Sequence, residues 1–183
     1  MIKLPLYPEL PKRPIQEVEP LDRNADCARC SLHQVNPAGS RCIAANGQLG
    51  DILVIGDSPT ELERKTGLAF TSNTGKQLRK LLGELAPGRN VVYTYALGCK
   101  PGRDTDFDRA VSMCRPYLAK VIEECDPKII LLVGSLAGSS VLDLEYNWQD
   151  IRNGFAWLHR DTGSVPVYML PTLSQGYRNH LVM

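Results

Sequence analysis

The feature that most constrains this chain is a recurring arrangement in which a short apolar run closes on a glycine and gives way to a polar loop and an amphipathic stretch. Ile52-Leu53-Val54-Ile55-Gly56 is one such run, and Lys128-Ile129-Ile130-Leu131-Leu132-Val133-Gly134 is another. Segments this short and almost continuously apolar suit strands covered on both faces, as in parallel sheets. Asn90-Val91-Val92-Tyr93-Thr94-Tyr95-Ala96-Leu97, rich in β-branched and aromatic residues, predicts a strand between them, and Val165 to Leu170 predicts the last one. The intervening segments have helical spacing. Leu78, Leu81, Leu82 and Leu85 form a stripe on a helix from about Asn73 or Thr74 to Leu85, closed by Pro87-Gly88. Asp106 can cap a long helix reaching about Cys125, bent or broken near Pro116, with Val111, Leu118, Val121 and Ile122 inward. Ser135 caps a short helix to about Leu142, after which a polar segment leads to the final strand. This alternation predicts a three-layer α/β/α fold around a central, mainly parallel four-stranded sheet.

In open sheets of this kind ligands bind at the carboxyl ends of the strands. The loop after Gly56 reads Asp57-Ser58-Pro59-Thr60-Glu61-Leu62-Glu63-Arg64-Lys65-Thr66-Gly67-Leu68-Ala69-Phe70. It combines carboxylates that can activate water with one aromatic ring on which a flat base can stack. The loop after the second strand carries Gly98-Cys99-Lys100-Pro101-Gly102-Arg103.

Pro5, Pro8, Pro11, Pro14 and Pro20 predict an extended arm over residues 1–24, ahead of one domain spanning 25–183. A net charge of +1, from 21 basic and 20 acidic side chains, provides no global basic field, so contact with nucleic acid would need a local patch. No apolar run approaches a membrane span, and the proline-broken start lacks the apolar core of a signal peptide, which points to the cytoplasm. In that reducing compartment the six cysteines are read as metal ligands or buried thiols rather than disulfides. Cys27 and Cys30 form a C-x-x-C pair, while Cys99 and Cys114 frame the downstream loop and helix start. Four thiolates suit a [4Fe–4S] cluster or a structural zinc, and spacing alone does not separate the two. Cys42 and Cys125 are surplus to that set.

Taken together these segments resemble the iron–sulfur, family 4 class of uracil-DNA glycosylases within the uracil-DNA glycosylase superfamily. The pieces that carry the resemblance are Cys27-x-x-Cys30, Gly56-Asp57-Ser58-Pro59, Thr66-Gly67-Leu68-Ala69-Phe70, Thr94-Tyr95-Ala96-Leu97-Gly98-Cys99-Lys100-Pro101, Cys114-Arg115-Pro116 and Pro127-Lys128-Ile129-Ile130-Leu131-Leu132-Val133-Gly134. The resemblance implies a [4Fe–4S] cluster on Cys27, Cys30, Cys99 and Cys114, with zinc as the alternative. It implies a base pocket formed by Gly56, Ser58, Pro59, Phe70 and Tyr95, with Phe70 stacking on the flipped base. Asp57 or Glu63 would then position water and stabilise the cationic sugar. DNA would be held by Lys100, Arg103, Arg115, Tyr177 and Arg178, by phosphate neutralisation and by filling the gap left by the extruded nucleotide.

Two departures accompany the likeness. Tyr95 stands where the family has an asparagine that reads the uracil edge, and Ser174 where it has a histidine that stabilises the departing base. Replacing an edge-reading amide redirects base choice, and a lost anion-stabilising donor costs about 10²–10³ in rate. Three functions therefore stay open. One is a DNA glycosylase acting on uracil or a modified pyrimidine, in base excision repair or modified-base processing. The others are a catalytically weakened or inactive iron–sulfur DNA- or base-binding module accessory to replication or repair proteins, and a modified-pyrimidine enzyme of another reaction class on the same fold. Each is expected as a monomer in the cytoplasm, associated with the nucleoid, with DNA as partner and no membrane.

Overall fold

A computed structural model describes residues 27, 30, 32, 42–142 and 154–172. The predicted arm over 1–24 and the loop bearing Ser174, Tyr177 and Arg178 lie outside these residues. In chain order the elements are β1 (Asn46–Gly47), β2 (Ile52–Gly56), α1 (Glu61–Thr66), α2 (Asn73–Leu85), β3 (Val91–Tyr95), α3 (Phe107–Cys125), β4 (Ile129–Val133), α4 (Ser135–Leu142), β5 (Phe155–Arg160) and β6 (Gly163–Leu170).

The sheet has the order β1-β3-β2-β4-β6-β5. Its four central strands are parallel and are the four expected, with Gly56 in register with Tyr95 on one side and Val133 on the other. The expected count of four is nevertheless corrected to six, because β1 pairs antiparallel with β3 and β5 antiparallel with β6. β1 has only two residues, too few to show a period. β5 alternates, but its larger aromatics, Phe155 and Trp157, face outward while Ala156 and Leu158 pack against the core. That inverts the usual sense of the hydrophobic signal.

Period-two alternation splits the central strands between two cores. Leu53 and Ile55 join Ile130, Leu132 and Val167 under Leu118, Val121 and Ile122 of α3 and Ala137 of α4. Ile52 and Val54 face the opposite way, with Tyr93, Tyr95 and Phe70, under Leu78 and Leu82 of α2. Helices cover both faces, giving the three-layer α/β/α architecture. Asp106 caps α3 as expected, its carboxylate accepting from Arg109 N at 3.0 Å. The expected break near Pro116 is absent: α3 is one helix from Phe107 to Cys125. Proline forfeits one ladder bond, and α3 has core anchors on both sides of it, Ala110 and Val111 before and Leu118, Val121 and Ile122 after.

Candidate base pocket

The carboxyl ends of β2, β3 and β4 define the site. The loops leaving β2 and β3 are zipped together, since Ala96 N donates to Gly56 O at 2.8 Å and Leu97 N to Asp57 O at 3.0 Å. Asp57 then turns its side chain toward α4, where Oδ1 accepts from Ala137 N at 2.9 Å. Gly134, at φ +109°, makes this possible: a Cβ there would lie 2.1 Å from Asp57 Oδ2. Burial pushes the Asp57 carboxyl above its ordinary value, and the Ala137 and Leu136 N–H groups only partly offset that. The result is a half-buried carboxyl, more basic than usual, at a strand end and against a helix N-terminus.

Thr60 and Glu63 form a capping box that starts α1. Glu63 is 1% exposed although it sits in a run of charged residues. Its Oε2 accepts from Thr60 N and Thr60 Oγ1, each at 2.8 Å, and its Oε1 from Ser72 N at 3.2 Å. Burial alone would raise the Glu63 carboxyl, but hydrogen bonds from Thr60, the Tyr95 hydroxyl and Ser72 outweigh it and hold it below its ordinary value. The neighbouring Glu61 points outward to Arg64 and Lys100 and is pulled down to about 2 by them. Lys100 Nζ lies 3.2 Å from Glu61 Oε2.

Phe70 ends this loop in a left-handed backbone conformation, φ +53°, which is uncommon for a bulky residue. Arg79 of α2 fixes it, donating to Phe70 O at 3.1 Å and Ala69 O at 2.8 Å. The same guanidinium lies 3.7 Å from the Tyr93 ring centroid. Gly75 provides clearance, because a Cβ there would lie 2.5 Å from Phe70 C. Phe70 and Tyr95 are each 4% exposed and stack with centroids 5.0 Å apart and planes 8° from parallel. Phe70 N donates to the Tyr95 hydroxyl oxygen at 2.9 Å. Gly56 lies under both rings; Ser58 is half-buried and Pro59 buried beside them in the chain.

Of the expected DNA contacts, Lys100 and Arg103 occupy the loop after β3, with Arg103 exposed. Arg115 is instead on α3, donating to Ser139 O at 3.3 Å. It lines a cavity of about 630 Å³ with Leu118, Ser140, Leu158 and Arg160, between α3, α4 and the β5–β6 hairpin.

The cysteines gather as well. Burial lifts the Cys114 thiol to about 11, with Cys99, Cys30 and Cys27 close enough to add to the shift. Cys42, expected to be surplus, joins them: a hydrogen bond with Cys99 is the largest cause of its strongly raised value. Its Sγ lies 2.1 Å from where a Gly98 Cβ would be, so only glycine fits there. Cys125 is apart, at the end of α3 and facing the core. A purely thiol donor set in an apolar shell of Leu32, Leu97, Ala110 and Val111 has the right chemistry for an iron–sulfur cluster or zinc. Among the described residues, however, no three or more His, Cys, Asp or Glu side chains form a group that could hold a metal ion.

Arg79, Thr60 and Gly134 are residues around the site to which the sequence reading gave no role, and Cys42 is one that it set aside as surplus. Only Thr60 had a local signal, the T-x-x-E pattern of a capping box. The other three act through contacts made by distant parts of the chain.

A doubly wound α/β sheet thus brings a carboxylate, a buried aromatic pair and a glycine floor together at the carboxyl ends of its central strands, where proteins of this class bind their ligands. Residues 47–181 match the family profile described as the Uracil DNA glycosylase superfamily, and the chain belongs to that family. It is 27% identical over 120 residues to the type-4 uracil-DNA glycosylase of Archaeoglobus fulgidus, covering 64% of this chain and 59% of the relative. Against the enzyme of the same name from Sulfurisphaera tokodaii, identity is 32% over 113 residues, 59% of this chain and 50% of the relative. The Thermotoga maritima relative, also a type-4 uracil-DNA glycosylase, is 30% identical over 125 residues, 67% of this chain and 64% of the relative. The matched part thus spans between half and two thirds of these relatives' length.

Proposed function

We propose that this protein is a DNA N-glycosylase acting on uracil or a related modified pyrimidine turned out of the DNA stack. The observation that carries the reading is Asp57: a carboxyl made more basic by burial, fixed at the end of β2 against the first N–H groups of α4. A carboxylate there can accept a proton from water as the water oxygen bonds to the sugar C1′. The C1′–N bond breaks with its electron pair leaving on the base, and the same negative charge stabilises the oxocarbenium-like sugar between those events. Glu63, with both oxygens occupied by loop donors, is a positioning residue that keeps α1 and Ser72 in place. Ser174 would donate to the departing base, and Gly56, Ser58, Pro59 and Phe70 would bound it. Lys100, Arg103, Tyr177 and Arg178 would meet phosphates and the vacated stack, whereas Arg115 would reach DNA only from the α3 side.

Cys27, Cys30, Cys99 and Cys114 would hold a [4Fe–4S] cluster, with structural zinc as the alternative. Either group would act as a cross-link between the N-terminal segment and α3, supplying no step of the reaction. A second reading, a DNA-binding module without excision, is supported by the Phe70–Tyr95 stack, in which Tyr95 covers one face of Phe70 and both residues are only 4% exposed.

The test is incubation of the protein with oligonucleotides containing uracil, hypoxanthine, xanthine or a modified pyrimidine, followed by alkaline cleavage. Abasic product that disappears in Asp57→Asn is expected. Tight DNA binding with no product on any substrate would leave the second reading in its place. Iron and sulfide analysis with visible absorption decides the cofactor, and a colourless protein with stoichiometric zinc would replace the cluster.

A further inference from the structure

We propose that Tyr95 is itself the resident of the base pocket, its ring filling the place beside Phe70 where a flipped pyrimidine would stack, so that a base enters only by displacing it. The inference rests on the reading of Phe70 as the stacking surface.

Three independent features of the geometry lead to it. The Tyr95 ring is nearly parallel to Phe70, 8° between planes and 5.0 Å between centroids, as a stacked base would be. The remaining sides of Phe70 are closed too, by Tyr93 at 5.7 Å and 49° and by the Gly56 backbone. A Cβ on Gly56 would lie 2.8 Å from Phe70 Cζ and 2.9 Å from Tyr95 Cδ1 and Cε1, so the space will not take even one more methyl. The Tyr95 hydroxyl is also engaged. Its oxygen accepts from Phe70 N at 2.9 Å, which ties the phenol to the backbone of its stacking partner. With its ring laid on Phe70 and its oxygen bonded to Phe70 N, the buried Tyr95 acts as a plug rather than a reader.

The plug is tied to the end of the loop it closes. The Tyr95 hydroxyl oxygen holds Phe70 N while Arg79 holds Phe70 O, so moving the ring out breaks one of the contacts that fix Phe70 in its left-handed conformation. In its closed form the chain therefore excludes uracil by occupancy, whatever polar edge the base presents.

The test compares the full-length wild type with Tyr95→Asn and Tyr95→Phe, using free uracil in titration calorimetry, with thermal melting to confirm folding. Tyr95→Asn uncovers Phe70 and is expected to bind uracil at least about tenfold more tightly than the wild type, a gain within reach of one base stacking on an aromatic ring. Tyr95→Phe keeps the plug and should bind no better than the wild type, although it melts lower. If Tyr95→Asn does not fold, Tyr95→Leu keeps the site apolar, uncovers part of the ring and should give a smaller gain in the same direction. Wild-type binding equal to that of the opened variant, or a folded opened variant no better than Tyr95→Phe, would overturn the plug. Free-base binding needs no catalysis. A wild type that excises nothing from any oligonucleotide would therefore count against the glycosylase reading while leaving this comparison intact.

Discussion

Glu63→Gln is the substitution that most directly probes how the pocket is held. The carboxylate accepts from Thr60 N and Oγ1 through one oxygen and from Ser72 N through the other. Glutamine keeps the size but replaces one acceptor oxygen with a donor. Whichever way the amide turns, at least one partly buried backbone N–H then faces another N–H, a cost of about 1–3 kcal/mol. The remaining bonds lose their charge assistance, roughly another 1 kcal/mol. The sum of about 2–4 kcal/mol should lower the melting temperature by roughly 5–15 °C, since 1 kcal/mol moves a domain of this size by about 2–4 °C. The pH dependence has a fixed sign. Because the folded-state value is depressed, the stability that Glu63 contributes is present above the unfolded carboxyl value and is lost as pH falls through the folded one. Urea unfolding of wild type and variant should therefore differ most at neutral pH and converge in acid. A variant within 0.5 kcal/mol of wild type at pH 7, on the scale of an ordinary surface change, would refute the structural role of this carboxylate.

Asp57 has the opposite sign. Its folded-state value is raised, so its contribution is present below the unfolded value of about 3.9 and is lost as pH rises through the folded one. Asp57→Asn should accordingly be at least as stable as wild type at pH 7 and show a flatter stability profile in mild acid by urea titration, while losing abasic product. Gly134→Ala adds strain at φ +109° and pushes into the Asp57 carboxylate, and should cost about 2 kcal/mol or more in chemical denaturation. In an Asp57→Ala background the steric part should vanish, leaving only the backbone strain. Leu118→Ala, at a site 1% exposed between α3 and the sheet, should cost about 2–5 kcal/mol without changing DNA affinity per folded molecule, measured by denaturation and gel shift.

The sequence by itself determined the elements and their order. Continuous apolar runs at 52–56 and 129–133, the leucine stripe of α2 and the Asp106 cap are local signals, because strand burial, helical period and capping each act within a few residues. It also brought into one chain the acid after Gly56, the aromatic residue at 70 and the paired cysteines on which the resemblance to a family rests. The tertiary structure alone decided what those residues face. Glu63 lies in a charged run that reads as solvated, yet it turns inward because Thr60 and Ser72 meet it there. Cys42 stands outside every cysteine spacing motif but reaches Cys99 because Ile43 N is bonded to Gly98 O at 2.7 Å. Asp57 finds Ala137 across 80 residues, and Tyr95 finds Phe70 across 25. Such meetings depend on the register of neighbouring parallel strands, here Gly56 level with both Tyr95 and Val133. No local propensity encodes that register, so the sequence could bring Tyr95 to the pocket's edge, but only the assembled sheet could lay its ring over Phe70.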